Sequence, residues 1–373
     1  MSGRAKRVLH VVRAMNRGGV ETWLMHLLRH VDPRRVQFDF LVHTNQPAAF
    51  DAEIEALGAR LIRCPEDHRV PGYGQSVLSS LRSAGPYDAV HSHVHHFSGY
   101  ILRLALRAGI PQRIAHSHSD TSQLDHAAGW PRRCYLSLTR HWIYENATEL
   151  VAASRLAAGA LFGERWTADR RSRLLHCGID LAPFADAVLS DPRPALGIDR
   201  GDFVIGHVGR FDTPKNHAFL LEVASEVLRV RPRTRLLLVG GGPLLPTVIA
   251  RLEELGLMDR TTLAGIRPDV ANLMAAMDVF VFPSVWEGLP LTLLEAQAAG
   301  LPCVISDVIT DEAVILPHLT RRLSLRDAPR AWADAVLDAG RVPRCPAEAR
   351  ARVEQSSFSI SHCLDALYEL YTA

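Results

Sequence analysis

Short apolar runs alternate with amphipathic stretches from one end of the chain to the other. Val8–Val12 (VLHVV) predicts a strand, and Val20–His30 a helix with Leu24, Leu27, Leu28 and Val31 on one face. Phe38–His43 predicts the next strand, Ala52–Leu57 a helix and Ala59–Arg63 a further short strand. Ala89–His93 reads as a strand set between Gly85-Pro86 and a long helix, Gly99–Ala108. Arg113–His116, Leu150–Ala153 and Arg173–His176 continue the series. This βαβα alternation predicts a parallel sheet covered on both faces.

A Pro-rich polar stretch, SDPRPALG, lies between Leu189 and Ile198 and predicts a linker. A second series follows. Phe203–Val208, Leu236–Val239, Thr261–Ala264, Val279–Phe282 and Cys303–Ser306 predict strands. His217–Arg229, Leu244–Leu255, Val270–Met277, Leu291–Ala299 and Pro329–Ala339 predict helices. A last helix, Ile360–Tyr371, places Leu364, Leu367, Tyr368 and Tyr371 to lie against a domain. The expected organisation is α/β: two doubly wound, Rossmann-like domains over residues 1–188 and 189–357, then a C-terminal helix over 358–373 that packs back on the first. Two such domains facing a central cleft hold a ligand at the carboxyl ends of their strands.

Length supports two domains, because 373 residues exceed one ordinary core. Neither a run of about 18 apolar residues nor a signal-peptide pattern is present in the sequence. Six cysteines are scattered without a CxxC pair. That pattern predicts reduced thiols in a cytoplasm, with neither a disulfide framework nor a zinc knot. The net charge of +2 hides an asymmetry: residues 1–185 hold 23 Lys/Arg against 16 Asp/Glu, and the remainder 19 against 24. A basic first half suits an anionic partner; nothing in its pattern suggests nucleic acid. Lys6 and Lys215 are the only lysines, which makes the position of each informative.

Lys215 follows a predicted strand that ends in Gly209-Arg210. Two fixed cations at a strand end suit a phosphate, bidentate to arginine and as a point charge to lysine. Solvated strand-end charges are the plain alternative. Leu238–Pro243 (LVGGGP) runs a strand into three glycines and a helix, a turn that permits close backbone approach without forming a GxGxxG fingerprint. The segment Phe282–Gly300, FPSVWEGLPLTLLEAQAAG, carries Glu287 beside a Gly-Leu-Pro turn and Glu295 inside a helix that starts near Pro290. Its first amides suit a diphosphate, and the two carboxylates suit sugar hydroxyls. A surface glutamate and a helix-solvating one are the alternative. In the first half, VHSHVHHFSG and AHSHSD place His91, His93 and His95 on one face of an extended strand, and His116 and His118 likewise. Buried, mutually satisfied histidines and a metal cluster are both compatible with that spacing.

The Glu287-x7-Glu295 segment resembles a motif of retaining glycosyltransferases of the two-Rossmann-domain, or GT-B, type. They form the large family-four type, which includes sucrose-phosphate-synthase-like and bacterial polysaccharide enzymes. Nearly the whole chain follows that order. Arg7–Val12 with Gly18-Gly19-Val20-Glu21 looks like the first strand and glycine loop. His176–Asp180 looks like an Asn-Gly-Ile-Asp segment, with His-Cys replacing Pro-Asn. Gly209-Arg210 with Lys215, Gly240–Gly242 and Gly265–Val270 follow in place.

The resemblance implies that Arg210 and Lys215 hold a nucleotide diphosphate, that Glu295 binds the ribose and that Glu287 binds the transferred sugar. It further implies that Arg267 to Val270 line the base. Gly18, Gly19, Gly209, Gly241, Gly288, Leu289 and Leu291 complete the donor surface. His93 would lie near the reacting sugar as a catalytic residue, with His118 second. The implied activity is transfer of a sugar from a nucleotide-diphosphate sugar, UDP-sugar favoured, to a hydroxyl acceptor in cell-surface polysaccharide biosynthesis. No metal or other cofactor is expected. A nucleotide-sugar 2-epimerase, an inactive sugar-nucleotide-binding subunit and transfer to a soluble natural product are the rival readings.

The helix Val20–Arg35 carries Trp23, Leu24, Leu27 and Leu28 beside Arg29, Arg34 and Arg35. Two readings follow: peripheral contact with the anionic inner face of a membrane that presents a lipid-linked saccharide, or core residues under an arginine fringe.

Overall fold

The computed structural model describes residues 4–64, 72–122, 125, 129–187 and 191–372. The chain divides into two units, one of residues 1–178 with 360–373, the other of residues 179–359. The division falls earlier than the Pro-rich stretch suggests. Ile179 N–H donates to the Phe358 carbonyl, and Phe184 in the short helix Ala182–Asp186 is buried, so this segment belongs to the second unit.

The first unit is built on seven parallel strands: β1 (Lys6–Val12), β2 (Val36–Val42), β3 (Leu61–Arg63), β4 (Ala89–Ser92), β5 (Gln112–Ser117), β6 (Glu149–Ala152) and β7 (Ser172–Leu174). Their order is β3-β2-β1-β4-β5-β6-β7. The second unit has six: β8 (Phe203–Val208), β9 (Thr234–Val239), β10 (Thr261–Gly265), β11 (Val279–Phe282), β12 (Cys303–Ser306) and β13 (Thr320–Leu323), ordered β10-β9-β8-β11-β12-β13. Chain order reverses between β1 and β4, and again between β8 and β11. At such a point the loops leave in opposite directions and open a crevice at the carboxyl ends of the strands.

The same brace stands at both reversals. Asp88 N–H donates to the Arg7 carbonyl, while the Asp88 carboxylate accepts the Arg7 N–H at 2.8 Å. In the second unit Asp278 N–H donates to the Val204 carbonyl, and its carboxylate accepts the Val204 N–H at 2.7 Å. Each aspartate thereby satisfies an amide that the sheet leaves open, and arginine holds it from outside: Arg4 for Asp88, Arg193 for Asp278.

Central strands fall where the apolar runs predict them. Others lie outside the sequence expectation: the helices Tyr73–Ser83, Trp130–Asn146, Arg155–Phe162 and Pro346–Glu354, and edge strand β13. Pro346–Glu354 buries Ala349 and Val353 alone, so its periodicity is faint, whereas Arg155–Phe162 buries Ala157, Ala158, Ala160, Leu161 and Phe162 and is too short and evenly apolar to show a period.

Between the two readings of the early helix, Gly19–His30, the structure decides for core. Trp23, Leu24, Leu27 and Leu28 are all buried. The helix ends at His30, short of Arg35, and the arginines are committed within the unit: Arg29 pairs with Glu53 at 2.7 Å, and in the turn beyond the helix Arg34 pairs with Asp32 at 3.1 Å and Arg35 lies 3.6 Å from the Tyr368 ring centroid. The expected membrane contact through this helix is therefore withdrawn. Tyr368 comes from the terminal helix Ile360–Thr372, which packs on the first unit through Cys363, Leu364, Leu367 and Tyr371. Its Tyr368 hydroxyl accepts the Asp32 N–H at 2.8 Å.

The brace gives a direct test. Asp278→Ala removes a charge-assisted bond to a backbone amide, and the loss is expected to cost about 1–3 kcal/mol. A urea titration should show a lower midpoint at unchanged slope; an unchanged midpoint would contradict the brace.

Candidate functional site

In the second unit the loops after β8 and β11 are tied together. Asn216, at φ 52°, opens the helix His217–Val230 and donates from Nδ2 to the Pro283 carbonyl at 3.2 Å. Val285 N–H donates to the Pro214 carbonyl at 2.8 Å. These ties bring Lys215 and Glu287, far apart in sequence, into an ion pair with Nζ 2.5 Å from Oε1 and side chains only 16% and 13% exposed. The ammonium also sits 4.7 Å from the Phe282 ring centroid. A Cβ on Gly209 would lie 3.3 Å from the Lys215 stem. Arg210 stays 71% exposed, with Asp212 only at 3.7 Å. Burial raises the Asp212 carboxyl above its ordinary range, against the pull of Lys215 and Arg210.

The glycine turn has a packing role that the sequence does not separate. Gly240 has φ 138°, and a Cβ there would collide with the Gly209 carbonyl; one on Gly242 would collide with the Phe211 carbonyl. Those two glycines let the loop after β9 lie against the loop after β8. Gly241, the residue singled out from sequence, would meet only Ile266, at 3.1 Å. Arg267 and Asp269 form a two-pronged pair at 2.7 and 2.6 Å just before Val270 opens the helix Val270–Ala275.

Pro290 precedes the helix Leu291–Ala298, and no side chain caps its first amides. Gly288 is buried and Leu289 half-buried at this turn. The Glu295 carboxylate, on a half-buried residue of the helix, makes no hydrogen bond among the described residues, and burial pushes it up to about 7. Ser284 Oγ, Thr292 Oγ1 and Asp212 Oδ1 are buried without a partner nearby. Such orphaned groups are costly unless a ligand or water completes them. Sequence reading passed over all three, although Ser284 and Thr292 lie inside the quoted segment.

In the first unit the strand β4 ends at Ser92. His95 turns away at φ 50° into a 3-10 turn, so it does not share a face with His91 and His93 as the sequence suggested. Five other histidines converge. His10 Nδ1 is 3.0 Å from His93 Nε2, His93 Nδ1 is 2.8 Å from His118 Nε2, and His91 Nε2 is 3.0 Å from His116 Nδ1. Tyr371 of the terminal helix reaches His91 at 2.7 Å, and Cys177 lies 3.6 Å from His118. Burial, reinforced by neighbouring histidines, lowers every one of these pKa values, His10 and His118 to about 3. All five are neutral at pH 7. His10, His91 and His116 are fully buried, whereas His93 and His118 keep some exposure.

His93 lines a cavity of about 320 Å³ with Val12, Arg13, Val20, Glu21 and Phe97. Gly18 and Gly19 stand at the start of the helix beside it. A Cβ on Gly18 would collide with the Glu21 carboxylate, while Gly19 faces open space. Two triads, His10/His91/His93 and His93/His116/His118, bring ring nitrogens within 4.8 Å of one another. They are where a metal could be held among the described residues, although those nitrogens already pair largely with each other.

Glu295 sets a pH dependence. A carboxyl raised from its ordinary 4.5 to about 7 keeps its proton in the folded chain while the unfolded chain has lost it. Its contribution is therefore present below about pH 4.5 and is lost as pH rises towards 7. Glu295→Gln should flatten the thermal midpoint over pH 5–7.5 relative to the parent. Parallel profiles would remove this account. Gly240→Ala should lower the midpoint further than Gly241→Ala, since only the former meets backbone.

The sequence pattern of the family described as Glycosyl transferases group 1 matches residues 202–340, and that of the Glycosyl transferase 4-like domain matches residues 18–178. EpsF of Bacillus subtilis (strain 168), named as a glycosyltransferase, is 38% identical over 382 aligned residues, covering 100% of this chain and 97% of EpsF. An Escherichia coli UDP-Gal:alpha-D-GlcNAc-diphosphoundecaprenol alpha-1,3-galactosyltransferase is 31% identical over 62% of this chain and 60% of its own. Anabaena HepE (Alr3699), solved in complex with UDP and glucose, superposes with TM-score 0.79 at 18% identity, over 98% of this chain and 99% of that one. Sucrose-phosphate synthase of Thermosynechococcus elongatus gives 0.77 at 21% identity, over 98% of each chain. The structural likenesses establish the fold and the sequence matches the family: the chain belongs to the group 1 glycosyltransferases, of the family-four type, with the two-domain GT-B fold.

Proposed function

We propose that this glycosyltransferase transfers a sugar from UDP-sugar, with retention of anomeric configuration, to a hydroxyl of a lipid-linked saccharide during polysaccharide assembly. One observation carries the donor assignment: the Lys215–Glu287 pair, held at the carboxyl ends of β8 and β11 where the strand order reverses. EpsF, the diphosphoundecaprenol-sugar enzyme of E. coli and the UDP complexes of HepE support the direction of the reading.

The chemistry follows from what each group can exchange. A diphosphate arriving at the loop competes with Glu287 for the Lys215 ammonium. Glu287, released, accepts hydrogen bonds from hydroxyls of the transferred sugar. Exposed Arg210 adds a planar, bidentate partner, and the uncapped start of Leu291–Ala298 adds a positive dipole end. As the glycosidic bond breaks, charge grows on the departing phosphate, and these groups stabilise it without reorganising. In this reading Glu295 takes the ribose hydroxyls. His93 is neutral at pH 7 and both of its ring nitrogens are engaged, by His10 and His118, so in this reading it walls the site beside the sugar rather than storing a proton. The departing phosphate oxygen then takes the acceptor hydroxyl's proton on the same face of the sugar. This reading uses no metal on the diphosphate.

Lys215→Ala and Arg210→Ala should each reduce kcat/KM with a nucleotide sugar by about ten- to a hundred-fold, the loss of one charge-assisted contact of roughly 1.5–3 kcal/mol. Glu295→Gln should raise the donor KM more than it lowers kcat, while Glu287→Gln should lower kcat as well. Circular dichroism would establish that each variant folds. The deciding experiment combines thermal shift across UDP- and GDP-sugars with NMR of the product's anomeric proton. A shift with UDP-sugars and a product retaining the donor's configuration are expected. An inverted product, wild-type turnover in the folded Lys215→Ala/Arg210→Ala protein, or isomerised donor without acceptor would overturn the reading.

A further inference from the structure

Three neighbouring strands of the first unit put histidine on one face of the sheet, at its carboxyl edge. His10 of β1 stands level with His91 of β4, and Ser92 of β4 with Ala115 of β5, so His93 comes level with His116 one position on. Side chains two apart on a strand share a face, which adds His93 to His91 and His118 to His116. The ring centroids of His116 and His118 lie 3.9 Å apart, and those of His93 and His118 5.1 Å. Trp23 of the helix Gly19–His30 packs against all three rings, edge-on to His93 and His116. The transfer chemistry proposed above uses neither His116 nor His118.

The nitrogens are arranged as ligands with their supports in place. Ring nitrogens of His93, His116 and His118 lie within 4.8 Å of one another. His93 Nδ1 and His118 Nε2 face each other at 2.8 Å, and His116 Nε2 is buried without a hydrogen bond among the described residues. A tetrahedral ion bound to imidazole at roughly 2.0–2.1 Å sets its ligand nitrogens about 3.3 Å apart, so the tight pair opens by about half an ångström. The other nitrogen of each ring already has a partner. His93 Nε2 is 3.0 Å from His10 Nδ1, His116 Nδ1 is 3.0 Å from His91 Nε2, and His118 Nδ1 is 3.6 Å from Cys177 Sγ. His91 in turn reaches the Tyr371 hydroxyl through Nδ1 at 2.7 Å. The proton between His93 and His118 is therefore not lost. Tautomer exchange moves each ligand's proton to its outer nitrogen, where those partners accept it, and every ring stays neutral. Outer partners of this kind fix the tautomer and orientation of a metal-bound histidine.

We propose that His93, His116 and His118 form a binding site for one zinc-type divalent cation, entered from the cavity at His93. Imidazole favours Zn²⁺ and its neighbours over Mg²⁺ and Ca²⁺, which take oxygen ligands. Three neutral ligands leave both charges of the ion uncompensated, so water or hydroxide completes the fourth position, as in open rather than closed zinc sites. His93 and His118 keep some exposure and His93 lines the cavity, which gives the ion its way in. The other set, His10/His91/His93, has two fully buried members and would cost His91 its contact with Tyr371 or with His116. The site is built entirely from the first unit. It does not depend on the donor assignment, because ion binding is measured without nucleotide or acceptor.

The test is isothermal titration of the full, untagged chain, stripped with EDTA, with ZnCl₂ and separately with MgCl₂. One Zn²⁺ per chain at micromolar affinity or tighter, and no Mg²⁺ binding, are expected. His93→Gln and His118→Gln should each weaken Zn²⁺ binding about a hundred-fold or more, since each removes a ligand. His95→Gln, whose ring lines the same cavity outside the set, should weaken it by less than about three-fold. A second measurement needs no variant and serves if circular dichroism shows that one fails to fold. In the Co²⁺-loaded parent each ligating histidine gives one hyperfine-shifted ring N–H signal by proton NMR, and three are expected. No Zn²⁺ binding, unchanged affinity in folded His93→Gln and His118→Gln, an equal loss in His95→Gln, or fewer than three shifted signals would overturn the site.

Discussion

Parallel pairing sends every strand of a sheet in one direction, so all the strand-to-helix loops of a unit leave from the same edge. The rest of this structure depends on that constraint. Where chain order reverses, at β1/β4 and β8/β11, adjacent loops diverge and leave room beside two strand ends. The histidines of the first unit and the Lys215–Glu287 pair of the second both stand at these places. At the opposite edge the aspartates Asp88 and Asp278 close the same junctions with one hydrogen-bonding pattern. The two units have thus solved one topological problem twice.

Charge is handled differently in the two units. In the second, a lysine and a glutamate are taken largely out of water, which is tolerable only because each has the other. A pair of that kind is ready to exchange partners when an anionic ligand arrives with its own compensation. In the first unit burial acts on histidines crowded near one another, and the outcome is neutrality rather than pairing of opposite charges. Their ring nitrogens satisfy one another in sequence, His10 to His93 to His118. Such a cluster is rigid and uncharged, with His93 as its face toward the cavity.

Basic character in the first unit also resolves once packing is known. Arg29 of Gly19–His30 and Arg34 and Arg35 in the turn after it are paired with Glu53 and Asp32 or stacked on Tyr368. On Trp130–Asn146 the outward face keeps Trp130, Tyr135 and Leu138 exposed, and Arg132 pairs with Asp125. A count of charges along the chain cannot separate these two helices, because pairing depends on residues distant in sequence.

How much was legible follows from burial. Central strands such as Phe203–Val208 and Val279–Phe282 are apolar throughout because both faces are covered, so their position and the parallel architecture could be read directly. Gly209, Arg210, Lys215, Glu287 and Glu295 could be singled out because they lie in loops and a helix next to those strands. Helices with a thin buried stripe and the edge strand Thr320–Leu323 left no clear period. His10, Cys177 and Tyr371 could not be placed with His91, His93, His116 and His118 from spacing, because they arrive from a central strand, a segment after β7 and the chain's last helix. The sequence by itself determined the alternation of elements, the two-sheet class and which polar residues stand near the strand ends. Tertiary structure alone decided which charges are paired, which glycines are needed for packing and which amphipathic face meets solvent. Each of those depends on atoms brought together across tens to hundreds of residues, and local periodicity carries no record of such contacts.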